Sequence, residues 1–322
     1  MPLTDLPLAE CLDFRPELAA PEDLDAFWAR TLAEAEERAG DPVLARVDNG
    51  LGLVTTYDVT VTGYAGQPVR GWLRLPAGAR EPLGCVVEYL GYGRGRGLPH
   101  EDLTYSCAGY AHLLMDTRGQ GWSAAPGRTP DPAEPDPGAV PGFFTRGIAS
   151  PETHYFRRVY TDAVRFARTA RELPMVDPER VVVTGISQGG GISLATAALT
   201  PGLAGVLPDV PCLSHFRRGA DTAAQPPYTE IAEYLRLHRD RTEDVFRTLS
   251  YFDAAVLAGR ASAPALFSIA MMDPVCPPST CFSAYHAYGG PKDLEVYEFN
   301  GHEGGGQVHL ARKLAWLRDR IG

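Results

Sequence analysis

Arg180-Val181-Val182-Val183-Thr184-Gly185-Ile186-Ser187-Gln188-Gly189-Gly190-Gly191-Ile192-Ser193 decides the fold. Its first half is a short, continuously apolar run, which is how a strand buried on both faces of a parallel sheet reads. Its second half is glycine-rich and opens a small-residue helix. G-x-S-x-G between a strand and a helix is a nucleophile elbow, in which Gly185 and Gly189 let the chain turn tightly enough to expose the hydroxyl of Ser187. The helix that follows aims its amide dipoles at negative charge developing beside that hydroxyl. An ordinary tight turn is the plainer alternative, and the buried strand directly before the motif argues against it.

Similar apolar runs occur on both sides: CVVEYL (85–90), AHLLMD (111–116), LAGVLPDV (203–210), PALFSIAMMD (264–273) and LEVYEFN (294–300). Helical patterns fit between several of them, at Tyr155 to Glu172, Gly190 to Leu199 and Val308 to Ile321. Before them come an amphipathic helix at 22–39 and two alternating stretches, TTYDVTVTGY and VRGWLRLP. The expected fold is α/β, a mostly parallel doubly wound sheet with an antiparallel N-terminal start, in one domain over 1–322. Two excursions break the alternation. One is a Pro, Gly and Asp-rich loop at 122–151, and the other is a helical insertion at 211–262; lids, binding loops or subunit contacts are the usual roles of such segments.

The 322 residues carry 40 acidic and 30 basic side chains, a formal charge of −10, with Lys only at 292 and 313. A phosphate backbone would be repelled, and no basic run forms a patch for an anionic membrane, so neither nucleic acid nor membrane is an expected partner. The longest apolar stretch, near Ala263 to Met272, falls short of the roughly 20 residues a spanning helix needs. Residues 1–14 hold three acidic and no Lys or Arg residues ahead of any apolar run, the reverse of a signal peptide, which predicts a cytoplasmic protein. Six dispersed cysteines without a C-x-x-C pair fit reduced thiols.

A serine needs a general base, and behind such an elbow the usual order is Ser, then Asp or Glu, then His. His215 and His238 fall in the insertion, and His286 and His309 in helical stretches. His302 alone follows a sheet strand directly, in a glycine-rich loop. Asp273, at the end of the strand before it, is the expected acid that holds the imidazole tautomer, with Asp209 after LAGVLP as its rival. The oxyanion donors are expected at the amide of Gln188 and at Tyr92 in the Gly91-Tyr92-Gly93 turn after CVVEYL. Competing motifs fail: Arg96 stands where G-x-G-x-x-G needs Gly, and Gly306 stands where a zinc-binding H-E-x-x-H needs its second His. No metal and no cofactor is expected. Arg94 and Arg96 read either as an anion site or as structural ion pairs.

Three signatures together, Asp116-Thr117-Arg118-Gly119-Gln120-Gly121, Gly185-Ile186-Ser187-Gln188-Gly189-Gly190-Gly191 and His302-Glu303-Gly304-Gly305-Gly306, resemble the acetyl xylan esterase and cephalosporin C deacetylase family, carbohydrate esterase family seven. YFRRVYTDAVR (155–165), DVPCLSHFRR (209–218), FRTLSYFD (246–253) and DPVCPPST (273–280) extend the likeness along the chain. The resemblance implies an α/β-hydrolase fold and a serine esterase acting on acetylated xylo-oligosaccharides and cephalosporin C. It further implies a cytoplasmic homohexamer, a dimer of trimers, with the 122–151 loop in subunit contacts. Carried over by position, the triad is Ser187, Asp273 and His302, with Tyr92 and Gln188 as oxyanion donors. Arg118, Gly119, Gln120 and Glu303 would brace the site, and Tyr92, Pro227 and Val275 would wall a narrow acyl pocket. A broader carboxylesterase or peptidase, or a catalytically inactive binding protein on the same fold, are the competing readings.

Overall fold

A computed structural model describes residues 5–132 and 140–322. The part of the expected subunit-contact loop at 133–139 lies outside the described residues. Nine strands form one sheet among the described residues: β1 (Val43–Val47), β2 (Val54–Thr62), β3 (Pro68–Pro76), β4 (Leu83–Tyr89), β5 (Ala111–Met115), β6 (Val176–Ile186), β7 (Gly205–Asp209), β8 (Ala265–Ala270) and β9 (Lys292–Tyr297). Their order is β1-β2-β3-β5-β4-β6-β7-β8-β9. The pairings β1–β2, β2–β3 and β3–β5 are antiparallel, and every pairing from β5 through β9 is parallel.

The helices are α1 (Leu8–Asp13), α2 (Leu24–Glu36), α3 (Thr104–Cys107), α4 (Tyr155–Glu172), α5 (Gln188–Leu199), α6 (Phe216–Thr222), α7 (Thr229–Leu237), α8 (Thr242–Ser250), α9 (Ala254–Ala258), α10 (Pro278–Ala287) and α11 (Gly306–Ile321). They cover both faces of the sheet. Cys85, Val87, Val181, Val183 and Phe267 pack in one large core with α2, α4 and α5. The alternate residues Val86, Val182, Leu207 and Leu266 pack beneath Trp316, Leu317 and Ile321 of α11 and Tyr105 of α3. This two-sided burial is why the central strands read as unbroken apolar runs and not as alternating ones.

Boundaries shift by a few residues from the sequence expectation. β6 starts at Val176, because Val176 pairs with Leu83 before the apolar run begins. α5 starts at Gln188 directly after the elbow, and α11 starts at Gly306. Asp293, which reads as a turn or cap residue, lies inside β9, whereas Asp253 does cap α9 by accepting from the Ala255 amide at 2.9 Å. All six cysteines are free thiols. No helix of the described residues is long and apolar enough to cross a membrane.

Candidate active site

The turn between β6 and α5 holds Ser187 at φ 59°, ψ −121°, a conformation that non-glycine residues rarely adopt and that costs on the order of 1–3 kcal/mol. Its surroundings enforce it. The Ser187 amide donates to Asp209 O at 2.9 Å, and the Ser187 carbonyl accepts from the Cys212 amide at 2.9 Å, strapping the elbow to the end of β7. A Cβ on Gly189 would meet the Tyr89 carbonyl oxygen at 2.0 Å, so only glycine lets α5 pass this close to β4.

Asp273 lies three residues past β8 and is fully buried. Its Oδ1 accepts from the amides of Val275 at 2.8 Å and Cys276 at 2.9 Å, and its Oδ2 sits 2.8 Å from Nδ1 of His302. This assigns the Nδ1–H tautomer to His302 and leaves Nε2 as its basic nitrogen. His302 rides on the loop after β9. Glu303 folds back to brace that loop, accepting from Asn300 Nδ2 at 2.8 Å and from the Gly301 amide at 3.1 Å.

Ser187, His302, Tyr92, Pro227 and Val275 line one cavity of about 330 Å³. Tyr92 and His302, 210 positions apart in the chain, thus face the same cavity. The rival acid is elsewhere: Asp209 Oδ2 holds Nζ of Lys313 at 2.7 Å, and its Oδ1 is 3.0 Å from Nε2 of His309, both on α11. Burial pushes the Asp209 carboxyl up, but Lys313 and His309 outweigh it and hold the carboxyl below its ordinary value.

Gln188 opens α5 and Tyr92 follows β4, and among the described residues neither amide is hydrogen-bonded to another protein group. Gln120 ties the two segments together. Its side chain accepts from the Gly93 amide at 2.8 Å and exchanges hydrogen bonds with the Gln188 side chain at 2.8 and 3.2 Å. The Gln188 side chain also reaches Leu90 O at 3.2 Å. Beneath this, Gly119 takes φ +69°, and Arg118 pairs with Asp162 through Nε at 2.6 Å and Nη2 at 2.9 Å. Burial alone would lower the Arg118 pKa; Asp162 and Asp131 outweigh it and hold the guanidinium charged. Arg94 and Arg96 form the structural pairs, with Asp102 at 2.7 Å and Asp58 at 2.8 Å.

Two neighbours escaped the sequence reading. Cys276 Sγ lies 3.9 Å from Ser187 Oγ, a proximity whose one sequence signal is that Cys276 follows Asp273 by three residues. Glu230 of α7 lies 2.5 Å from the Tyr92 hydroxyl, and nothing in the sequence of an inserted helix points there. Among the described residues, one group of potential metal ligands, Asp273, Cys276 and His302, falls within 4.8 Å. Its donors are already engaged, since both Asp273 oxygens hold protein N–H groups and burial pushes the Cys276 thiol well above its ordinary value. They fit a bound cation poorly.

The acetyl xylan esterase (AXE1) profile matches residues 1–320. This chain belongs to the acetyl xylan esterase family. Its fold superposes on an acetyl xylan esterase from Paenibacillus sp. R4 with a TM-score of 0.91 at 37% identity, covering 98% of this chain and 100% of that one. Acetyl xylan esterase 1 from Thermoanaerobacterium sp. JW/SL YS485 gives a TM-score of 0.88 at 33% identity, covering 97% and 99%. Acetyl esterase Axe7A of Xylanibacter ruminicola (strain ATCC 19189) is 25% identical over 323 residues, 96% of this chain and 70% of that protein. The protein is accordingly a carboxylic ester hydrolase with the α/β-hydrolase fold.

Proposed function

We propose that this esterase removes acetyl groups from small esters through an acetyl-Ser187 intermediate. His302 Nε2 takes the Ser187 proton as Oγ attacks the acetyl carbonyl, and the oxyanion is held by the amides of Gln188 and Tyr92. Collapse expels the alcohol, which receives that proton from His302. Water, deprotonated by the same nitrogen, then releases acetate and restores Ser187. Asp273 holds the tautomer and offsets the imidazolium charge.

The observation that carries this reading is the 2.8 Å bond from His302 to buried Asp273, with His302 and Ser187 lining one pocket. Pro227 and Val275 would wall the acyl end, so acetate is favoured over longer chains. Ser187→Ala tests it: p-nitrophenyl acetate hydrolysis should fall at least about 10³-fold with the fold retained, and residual activity near wild type refutes it.

The family likeness extends the proposal to acetylated xylo-oligosaccharides and cephalosporin C as substrates, and to a cytoplasmic homohexamer, a dimer of trimers, with 122–151 at subunit contacts. Activity ratios across acetylated xylobiose, glucose pentaacetate and cephalosporin C, and sedimentation of the purified protein, test these parts separately.

A further inference from the structure

We propose that Glu230 is a positioning residue for this reaction, fixing from α7 the loop that carries the Tyr92 amide. The proposal rests on the serine mechanism above. The Tyr92 ring stands between Trp122, Phe143 and Phe144, with centroids 5.2, 6.1 and 5.8 Å away in edge contacts. Those contacts hold the ring's plane, but they do not fix how far it slides along its own axis. The hydroxyl end does. Tyr92 OH donates to Glu230 Oε1 at 2.5 Å and accepts from the amides of Gly142 at 3.0 Å and Phe143 at 3.1 Å. Glu230 itself also accepts from the Gly142 amide at 3.0 Å and the Phe144 amide at 3.1 Å.

The direction of these bonds is set by chemistry. Burial and the neighbouring carboxylate push the Tyr92 phenol far above its ordinary range, so it keeps its proton and donates. The carboxylate then gathers three donors, which is why a helix inserted between two sheet strands can fix the Tyr92 loop. At the other end of the residue, the loop is tied through Gly93 to Gln120, leaving the Tyr92 amide between two anchors. Pro226 and Pro227 of the pocket wall precede Glu230 by four and three residues, so the same anchor sets the acyl wall. Displacing an oxyanion donor by a fraction of an ångström weakens binding of the tetrahedral state more than binding of the ester.

The test compares Glu230→Ala, Glu230→Gln and Tyr92→Phe with wild type on p-nitrophenyl acetate and with a trifluoromethyl ketone that mimics the tetrahedral adduct. We expect Glu230→Ala to lower kcat about 10 to 100-fold with KM within about twofold, and to weaken the ketone in parallel. Glu230→Gln, which keeps an acceptor oxygen, should restore part of that loss, and Tyr92→Phe combined with Glu230→Ala should lose no more than Glu230→Ala alone. Unchanged kcat and ketone affinity in Glu230→Ala, or losses that multiply in the double variant, overturn the proposal. If Glu230→Ala does not fold, Glu230→Gln and Tyr92→Phe carry the same comparison. An active Ser187→Ala would instead bring down the mechanism itself, so the two failures are distinguishable.

Discussion

Lys313 Nζ and Asp209 Oδ2 are bound at 2.7 Å, an ion pair buried between β7 and α11. Asp209 ends β7, Asp273 lies three residues past the neighbouring β8, and both contact a histidine, yet they are opposite in use. Asp209 is committed to the Lys313 ammonium on the α11 face of the sheet, whereas Asp273 holds the imidazole of His302 in the pocket.

The two carboxylates are therefore separable by mutation. Asp273→Asn should lower kcat about 10⁴-fold with the fold intact, because the amide cannot hold the Nδ1–H tautomer. Asp209→Asn should leave kcat of the folded protein within a few-fold but cost roughly 3–5 kcal/mol, since it strands a buried ammonium. Initial rates and denaturant midpoints on both variants check this, and a swap of the two effects would reverse the assignment.

Gln120 links the loop after β4 to the start of α5. Gln120→Ala leaves the Gly93 amide and the Gln188 side chain short of a partner, an expected loss of roughly 1–3 kcal/mol. Because both proposed oxyanion donors lose their brace, kcat should drop about 10-fold or more while KM moves little. A change confined to stability would show that the brace does not reach the chemistry.

Acid should destabilise the protein through His154. Burial pushes its pKa down from 6.5 to about 3, and its ring is used at both nitrogens, accepting from the Phe156 amide at Nδ1 and facing Phe144 O at Nε2. The unfolded chain binds a proton there between pH 6.5 and 3 that the folded chain does not, so stability falls as pH falls through that window. The slope contributed is about 1.4 kcal/mol per pH unit at most. Denaturant midpoints from pH 7 to 4 should show a flatter dependence in His154→Gln than in wild type.

The acyl wall predicts chain-length selectivity. kcat/KM for p-nitrophenyl acetate should exceed that for the octanoate by at least about 10²-fold, and enlarging the wall with Val275→Ala should narrow the gap. Equal rates on both esters, or cleavage of prolyl peptides, would favour the broader hydrolase reading.

Sequence alone exposed the parts of this site that local rules govern. The elbow is legible because Gly185 and Gly189 answer a local backbone demand, and His302 because it is a loop histidine directly after a sheet strand. β1 escaped because its residues are mostly exposed or half-buried and leave no alternation to read. Glu230 and Cys276 escaped for another reason: their roles exist only through contacts made across the pocket, and neither the polar face of α7 nor the run after Asp273 encodes a partner. The choice between Asp273 and Asp209 could be leaned upon but not closed, because Lys313, which claims Asp209, lies 104 residues further on.

Serine-directed labelling reaches the central claim most directly. Diethyl p-nitrophenyl phosphate should attach one diethylphosphoryl group per chain, on the peptide that contains Ser187, and esterase activity should vanish in proportion to that adduct. Complete inactivation with Ser187 unmodified, or full labelling of Ser187 with activity intact, would contradict the account.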